Sequence, residues 1–210
     1  MQTLLVDRSE RGRLALAGAD RKAFLNGQVT NDVEALEPGR GCYAAFLTHK
    51  GKMLGDVRVL DVGEGGRDEA ELLLDTERVA LQALFDLIRR FSLGHRVELR
   101  KRTLETAQLS LVGPDARAIA GAGDLPEAEH AHVEAQIASR PVRLVATADG
   151  VDVLCAADDA ETVAAARRAA DAVDAPEERA EVLRVEAGRP RYGVDIDDSV
   201  IPQEAGLNER

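Results

Sequence analysis

Aromatic residues, cysteines and long apolar runs are all scarce in this sequence. It has no tryptophan, four phenylalanines and two tyrosines, too few for an aromatic platform that stacks single-stranded nucleic acid. Its two cysteines, Cys42 and Cys155, lie far apart without the spacing of a metal site, so we expect free thiols in a reducing compartment. No apolar run approaches the roughly 20 residues of a membrane span, and the amino terminus lacks an apolar signal segment. We therefore expect a cytoplasmic protein without membrane contact.

The chain is acidic but otherwise has an ordinary globular composition. Its 210 residues include 38 acidic and 27 basic side chains, a net charge of −11, and 45% are hydrophobic. This composition excludes disordered and fibrous classes, and the length suits one large domain or two small ones. Because an acidic protein repels phosphate backbones, we expect no general nucleic-acid binding.

Two segments recur in the same order, which indicates an internal duplication. Residues 14–23 (LALAGADRKA) are echoed by residues 109–118 (LSLVGPDARA). In both, an apolar strand pattern leads through glycine and aspartate into a short helix. Residues 72–91 are echoed in turn by residues 151–173, each a strand followed by an amphipathic helix. Strands and helices interspersed in this way predict an α+β fold in two similar parts.

Between the repeats the pattern predicts a β-hairpin formed by residues 42–47 and 53–60. Asp56 lies inside the second of these strands. Alternation leaves its exposure open, and we expect it to face solvent because an unpaired buried acid is costly. Asp20 and Asp75 each stand at a strand-to-helix junction, where aspartate is a favoured N-cap.

The common catalytic signatures are absent from the sequence. It contains no GxxxxGK[ST], GxSxG, HExxH or CxxC pattern. His130 and His132 lie among glutamates and could mimic a metal cluster, but an exposed acidic helix or loop is the simpler interpretation. We therefore predict no metal site.

The carboxyl end has the most specific pattern in the chain. Residues 183–197 (LRVEAGRPRYGVDID) and 201–208 (IPQEAGLN) resemble the LRxEAGxPxYGxDxD…PxEAGL run of the glycine-cleavage T-protein and YgfZ family, the aminomethyltransferase superfamily. Residues 18–25 (GADRKAFL) and 47–51 (LTHKG) agree with the amino half of these proteins. The resemblance therefore covers essentially the whole chain.

This resemblance implies an α+β folate-binding region over residues 1–210, with two similar strand–helix subdomains, swapped strands and approximate halves 1–102 and 103–210. In the family a smaller β-barrel domain follows, and the YgfZ branch has a KGCYxGQE motif before it. Neither is present before Arg210, so we expect a truncated chain. Its apolar residues between 194 and 207 would lack cover, which predicts a homodimer through that face or fraying after Gly206.

Within the superfamily the resemblance favours the YgfZ branch. Residues 201–208 look more like that branch, and Gly55-Asp56 stands where T-proteins usually have two acids. The implied function is that of a tetrahydrofolate-binding protein of iron–sulfur cluster assembly or repair, with iron–sulfur client proteins as partners. Two alternatives stay open: aminomethyltransferase-like transfer of a one-carbon unit to tetrahydrofolate, and a folate-binding module without turnover.

The resemblance also implies which residues form the site. The aspartate that T-proteins set near the folate N10 and the aminomethyl carbon corresponds to Asp56, the candidate catalytic residue. The implied folate-binding set is Tyr43, Asp56, Asp75, Asp152, Arg184 and Tyr192. A carboxylate can accept paired N–H bonds from a reduced pterin, tyrosine offers a flat face and a hydroxyl, and arginine can meet the glutamate tail. For Arg184, an ion pair with Glu181 or Glu186 is the structural alternative.

Overall fold

The computed structural model describes residues 2–63 and 70–207, so Asn208 of the carboxyl-terminal pattern lies outside them. The strands are β1 (Leu4–Asp7), β2 (Gly12–Ala17), β3 (Gly41–Leu47), β4 (Met53–Gly63), β5 (Glu71–Thr76), β6 (Glu98–Lys101), β7 (Thr106–Val112), β8 (His132–Ile137), β9 (Arg140–Thr147), β10 (Gly150–Ala156) and β11 (Val173–Asp174). The helices are α1 (Arg21–Asn26), α2 (Leu81–Phe91), α3 (Ala116–Ala120), α4 (Ala160–Arg168) and α5 (Glu177–Glu186). Within these residues no helix is long and apolar enough to span a membrane.

The described elements form two compact units. Unit 1 comprises residues 2–10 and 103–189, and unit 2 comprises residues 11–102 and 190–207. The first strand of the chain therefore belongs with elements of the second half, while the carboxyl-terminal segment belongs with elements of the first half. Each unit is built on its own β-sheet.

Unit 2 contains a five-stranded antiparallel sheet with the order β3-β4-β5-β2-β6. Alternate residues of its strands are apolar, so one face of the sheet packs against helix α2. Leu14, Val57 and Leu74 on this face form one buried cluster with Leu81 and Ile88 of the helix. Full burial of such side chains is worth about 1.5–3 kcal/mol each relative to exposure, and this cluster is the core of the unit.

Unit 1 repeats the arrangement with the order β11-β1-β7-β10-β9-β8. Leu111 and Val151 of its sheet form a buried cluster with Ala116 of α3 and Val163 of α4. Strand β1 lies antiparallel to β7, as β6 lies antiparallel to β2 in unit 2. Apart from the additional edge strand β11, the two sheets thus share one strand order, with β1 supplied from the start of the chain. The predicted α+β fold, with two similar strand–helix subdomains and swapped strands, is confirmed.

Of the two predicted aspartate N-caps, Asp20 occupies the N-cap position of α1 without a cap hydrogen bond, and Asp75 is not an N-cap. Helix α1 spans residues 21–26 as the pattern predicts, but the Asp20 side chain makes no cap hydrogen bond. It accepts hydrogen bonds instead from the backbone N and from Nη2 of Arg96, both at 2.8 Å. Helix α2 begins at Leu81 with Ala80 at the N-cap, so Asp75 lies too early in the chain to cap it.

Candidate functional site

The sheet of unit 2 has a second face, opposite α2, on which charged and polar side chains are brought together. Tyr43 pairs with Arg58 across β3 and β4, and Arg58 and Arg13 both pair with Asp75. Directly paired residues share a face, as do residues two apart on one strand, so Asp56 lies on this face too. We call these five residues the polar face. Arg13, Asp56, Arg58 and Asp75 are buried, and Tyr43 is half-buried.

Asp56 is a buried carboxylate with one oxygen committed inside the chain. Its Oδ2 accepts a hydrogen bond from the Tyr43 hydroxyl at 2.8 Å, whereas Oδ1 accepts none from another residue in the described ranges. Only 8% of the residue is exposed, so the expectation that Asp56 faces solvent is wrong. Strand alternation could not settle this because it gives the face of a residue and not what covers that face.

The surroundings of Asp56 act on its pKa in opposite directions. Burial raises the pKa most strongly, because a carboxylate loses hydration when it is removed from water. The Tyr43 hydrogen bond and the positive charge of Arg11 lower it, and the carboxylates of Glu77 and Asp75 raise it further. The net result is a raised pKa, which makes Asp56 a stronger proton acceptor than an exposed aspartate.

Asp75 and Glu77 belong to an alternating row of ion pairs beside Asp56. Arg58 Nη2 lies 2.8 Å from Asp75 Oδ2, and Arg11 Nε lies 2.9 Å from Asp75 Oδ1. Arg11 also pairs with Glu77, whose second oxygen lies 2.9 Å from Nη2 of Arg191. Both oxygens of Asp75 are therefore held by guanidinium groups. In this unit its contacts are those of a structural ion pair.

The backbone next to Asp56 is closely packed. Gly55 has a φ of 155°, and a Cβ at this position would lie 3.0 Å from Cδ1 of Leu84 and 3.2 Å from Cβ of Ala80. An acidic side chain at this position would have to displace helix α2 or its side chains. On the neighbouring strand, the Thr76 hydroxyl donates to the carbonyl oxygen of Asp56 at 2.6 Å.

Tyr192 enters the same part of unit 2 from the carboxyl-terminal segment. With Tyr43 it packs against a buried cluster of Ala45, Met53, Ile196 and Leu207. Burial raises the pKa of Tyr192, and the negative charges of Asp198, Asp56 and Asp197 add to the rise. Tyr43, Asp56 and Tyr192 are therefore neighbours in the folded unit.

The same cluster changes the interpretation of the carboxyl-terminal segment. Ile196 and Leu207 were expected to lack apolar cover, yet each is only 6% exposed because Ala45 and Met53 cover them. Val194 is the exception and is 63% exposed. Apolar cover for most of this segment thus comes from unit 2 itself.

The other two predicted site residues lie in unit 1. Asp152 is 4% exposed and accepts hydrogen bonds from Ser110 Oγ at 2.6 Å and Gln108 Nε2 at 3.1 Å. Arg184 donates through Nε to Glu181 Oε1 at 2.8 Å and also donates to the Arg189 carbonyl. The structural alternative for Arg184, an ion pair with Glu181, is therefore present.

Sequence reasoning missed Arg11, Arg58, Thr76, Glu77 and Arg191. Only Arg58 had a local signal, since it stands two residues after Asp56 in a largely apolar strand and such residues share a face. The others contact Asp56, or take part in the ion pairs of Asp75 and Glu77, through tertiary contacts. Their chain positions alone could not reveal them.

The histidine segment and the two cysteines also carry side chains of types that can bind a metal ion. His132 begins strand β8 and is 2% exposed, with Nδ1 2.9 Å from Nη1 of Arg143. The expected exposed helix or loop is therefore wrong at this residue, because strand pairing buries it. Cys42 is half-buried and Cys155 is buried, and no disulfide joins the two. Residues 2–63 and 70–207 contain no group of three or more side chains arranged to hold a metal ion.

Comparisons of the sequence with known proteins agree on one type of domain. Residues 2–209 match the family described as the GCVT N-terminal domain. A protein named aminomethyltransferase from Thermus thermophilus is 31% identical over 93% of this chain and 57% of its own length. That from Bacillus subtilis is 28% identical over 97% of this chain and 58% of its own length. The chain thus spans a little over half the length of these curated relatives.

Solved structures have the same fold. The glycine cleavage system aminomethyltransferase T from Bartonella henselae superposes with a TM-score of 0.84 at 22% identity, covering 99% of this chain and 57% of that one. The heterotetrameric sarcosine oxidase from Corynebacterium sp. U-96 superposes with a TM-score of 0.57 at 20% identity, covering 80% and 83%. At these identities the likeness is one of fold.

Proposed function

Because this chain belongs to the GCVT N-terminal domain family, we propose that it binds tetrahydrofolate or a derivative and takes part in transfer of a one-carbon unit. Membership of the family confirms the resemblance to the aminomethyltransferase superfamily. One-carbon transfer, an alternative in the sequence analysis, becomes the leading proposal because the similar proteins carry the name aminomethyltransferase. Since the chain spans little more than half of those proteins, the activity is proposed for the protein that contains this region.

The observation that best supports the proposal is the buried carboxylate of Asp56. Its Oδ2 is held by Tyr43, which leaves Oδ1 to accept an N–H bond from a reduced folate. Burial raises the pKa of this carboxyl and makes it a better proton acceptor at the reacting nitrogen. When ionised, the same group stabilises positive charge that develops on a one-carbon unit in transfer, and burial strengthens that interaction.

The other predicted site residues have different roles in this proposal. Tyr192 packs against the same buried cluster as Tyr43 and offers an aromatic face to a pterin or an aminobenzoyl ring. Asp75 supports the site indirectly, because both of its oxygens are held by arginines. Asp152 and Arg184 stay in the proposed folate-binding set on the strength of the family resemblance.

Calorimetry on this chain tests folate binding. We expect tetrahydrofolate or its formyl form to bind, and NAD and ATP to bind far more weakly or not at all. Asp56→Asn should weaken folate binding, and Asp86→Asn, which changes an exposed aspartate of helix α2 in the same unit, is the matched control. Binding of NAD or ATP without binding of folate would contradict the proposal.

The iron–sulfur function and the non-catalytic module remain as alternatives. The pattern of residues 201–208 and Gly55 favours the YgfZ branch, for which the function would be iron–sulfur cluster assembly or repair. A turnover assay of the full-length gene product with an aminomethyl-lipoyl carrier protein separates transfer from both alternatives. Rescue of cluster-enzyme activity in a deletion strain by the same gene separates the iron–sulfur function from a binding module.

A further inference from the structure

Asp56 is held at two points by hydroxyl groups from the strands on either side of it. Tyr43 of β3 donates to the side-chain Oδ2 at 2.8 Å, and Thr76 of β5 donates to the backbone carbonyl at 2.6 Å. We propose that Tyr43 and Thr76 are positioning residues that clamp the side chain and the backbone of Asp56, so that Oδ1 is the oxygen that meets the ligand. This inference rests on the proposed folate-binding function and assigns how its central carboxylate is held.

Thr76 replaces a backbone hydrogen bond that the sheet does not provide. The ladder between β4 and β5 ends at the pair Arg58 and Asp75, so Asp56 lies beyond it. The Asp56 carbonyl, in a residue that is only 8% exposed, needs a donor. Thr76 is 1% exposed and its backbone is fixed by pairing with Gly12, and a β-branched side chain is stiff at χ1. Its hydroxyl is therefore a rigid anchor.

Tyr43 holds the side-chain carboxylate as Thr76 holds the backbone carbonyl. Its ring packs against the cluster that includes Ala45 and Met53, which limits its rotation. A hydroxyl has one proton to donate, and in Tyr43 that proton is committed to Oδ2 of Asp56. Tyr43 is implied by the family resemblance as a ligand-binding residue, and the clamp gives its hydroxyl a second role that acts through Asp56.

The charged groups near Asp56 are fixed separately from the clamp. Arg11, Asp75 and Glu77 influence the carboxyl through space, and Arg58 lies two residues away on the same strand. The two acids are held by arginines through ion pairs that include neither clamping hydroxyl. Removing one hydroxyl should therefore change Asp56 while leaving the ion pairs in place.

The test uses substitutions that delete single hydroxyls from this chain. Tyr43→Phe removes the donor to Oδ2, Thr76→Val removes the donor to the carbonyl, and Thr76→Ser restores a hydroxyl at position 76. Thr147→Val deletes a hydroxyl from strand β9 of unit 1 and is the matched control. Aspartate carboxyls are labelled with carbon-13 and titrated by NMR, with the Asp56 signal assigned through Asp56→Asn. Tetrahydrofolate affinity is measured by calorimetry on the same proteins.

The expected results separate positioning from a merely structural role. In Tyr43→Phe the Asp56 titration should move to higher pH, because a hydrogen bond that favours the ionised carboxylate is lost. Thr76→Val should weaken tetrahydrofolate binding about tenfold, equivalent to about 1.4 kcal/mol, and Thr76→Ser should recover most of the affinity. Thr147→Val should change neither quantity.

The titration requires no ligand, so it distinguishes failure of the clamp from failure of the folate proposal. A wild-type chain that binds no tetrahydrofolate, together with a shifted titration in Tyr43→Phe, would reject the folate proposal and retain the clamp of the carboxylate. A folded Tyr43→Phe chain with an unmoved Asp56 titration would overturn the clamp whatever the folate result. If Thr76→Val does not fold, a Thr76→Ser chain that binds as weakly as Asp56→Asn would overturn the role of Thr76.

Discussion

Glu77 and Arg191 lie 114 positions apart in the chain and form an ion pair, with Oε2 2.9 Å from Nη2. Glu77 also pairs with Arg11, so it joins the carboxyl-terminal segment to the row of charges beside the polar face. The Glu77 side chain is only 10% exposed, and a shielded pair of this kind is screened little by salt.

This ion pair gives Arg191 a structural role in the turn that contains Tyr192. Arg191 anchors the turn to Glu77, and its backbone N donates to Asp195 Oδ2 at 2.8 Å. Tyr192 follows immediately and packs against the cluster that contains Ile196. The arginine thus anchors the segment that brings Tyr192 to the cluster against which Tyr43 also packs.

Asp56→Asn should change the pH dependence of stability. Because burial raises the folded-state pKa of Asp56 above 3.8, the folded state favours the neutral carboxyl. The stability that this preference contributes is fully present below the pKa of the unfolded state and is lost as pH rises through the raised pKa of the folded state. Asparagine stays neutral and keeps an oxygen for Tyr43. In thermal melts between about pH 4 and 8, the melting temperature of Asp56→Asn should therefore rise relative to that of the wild type as pH rises.

Asp197→Asn is the control, because the contribution of Asp197 to stability should depend on pH in the opposite direction. Hydrogen bonds from Ser199 lower the pKa of Asp197, so its ionised form is the favoured one in the folded state. That contribution is present above the unfolded pKa and is lost as pH falls through the lowered folded pKa. A constant stability difference between Asp56→Asn and wild type across the pH range would contradict burial as the cause of the raised Asp56 pKa.

Asp75→Asn should destabilise the chain by about 3 kcal/mol, because it removes the negative charge from the buried ion pair with Arg58. The side chains of Asp75 and Arg58 are 7% and 9% exposed, so solvent screens this pair little. Denaturant unfolding measures the loss. Asp20→Asn is the comparison, since Asp20 pairs with Arg96, whose side chain is 79% exposed, and it should change stability far less. Equal losses for the two variants would show that burial does not decide the strength of these pairs.

Gly55→Ala should cost about 1–3 kcal/mol of unfolding free energy, a typical cost of overpacking. The added Cβ would meet Leu84 at 3.0 Å on a backbone with a φ of 155°. Gly123→Ala is the control, because nothing lies within 4 Å of a Cβ there. Urea unfolding of both variants gives the comparison. If Gly55→Ala is as stable as the wild type, helix α2 does not restrict this position and a second acid could be accommodated.

Cys42 should react slowly with thiol reagents in the folded chain. Burial, assisted by the negative charge of Asp32, raises its pKa to about 11. The thiolate is the reactive form, and at pH 8 only about one molecule in a thousand would hold it. A Cys155→Ala chain isolates this thiol, and labelling with a chromogenic disulfide should accelerate strongly when the chain is unfolded. Rapid labelling of the folded chain at pH 8 would contradict the raised pKa.

The sequence by itself determined the kind of fold and several local elements. Alternating apolar residues in 53–60 and the periodic apolar residues of α2 identify half-buried strands and an amphipathic helix, because side-chain direction follows backbone period. Helix α1 spans the predicted residues 21–26. The echo between residues 14–23 and 109–118 is realised as the matching strands β2 and β7 at equivalent places in their sheets. Local periodicity is enough for such features.

Only the tertiary structure decided what surrounds the candidate carboxylate. Asp56 could have been exposed, and Asp75 could have capped a helix, on any local argument. Thr76 donates to the Asp56 carbonyl, Arg11 pairs with Asp75, and Arg191 pairs with the neighbouring Glu77 from a segment that returns from the carboxyl end. Contacts between residues distant in the chain are set by packing of whole elements, and a pattern read along one strand does not contain them.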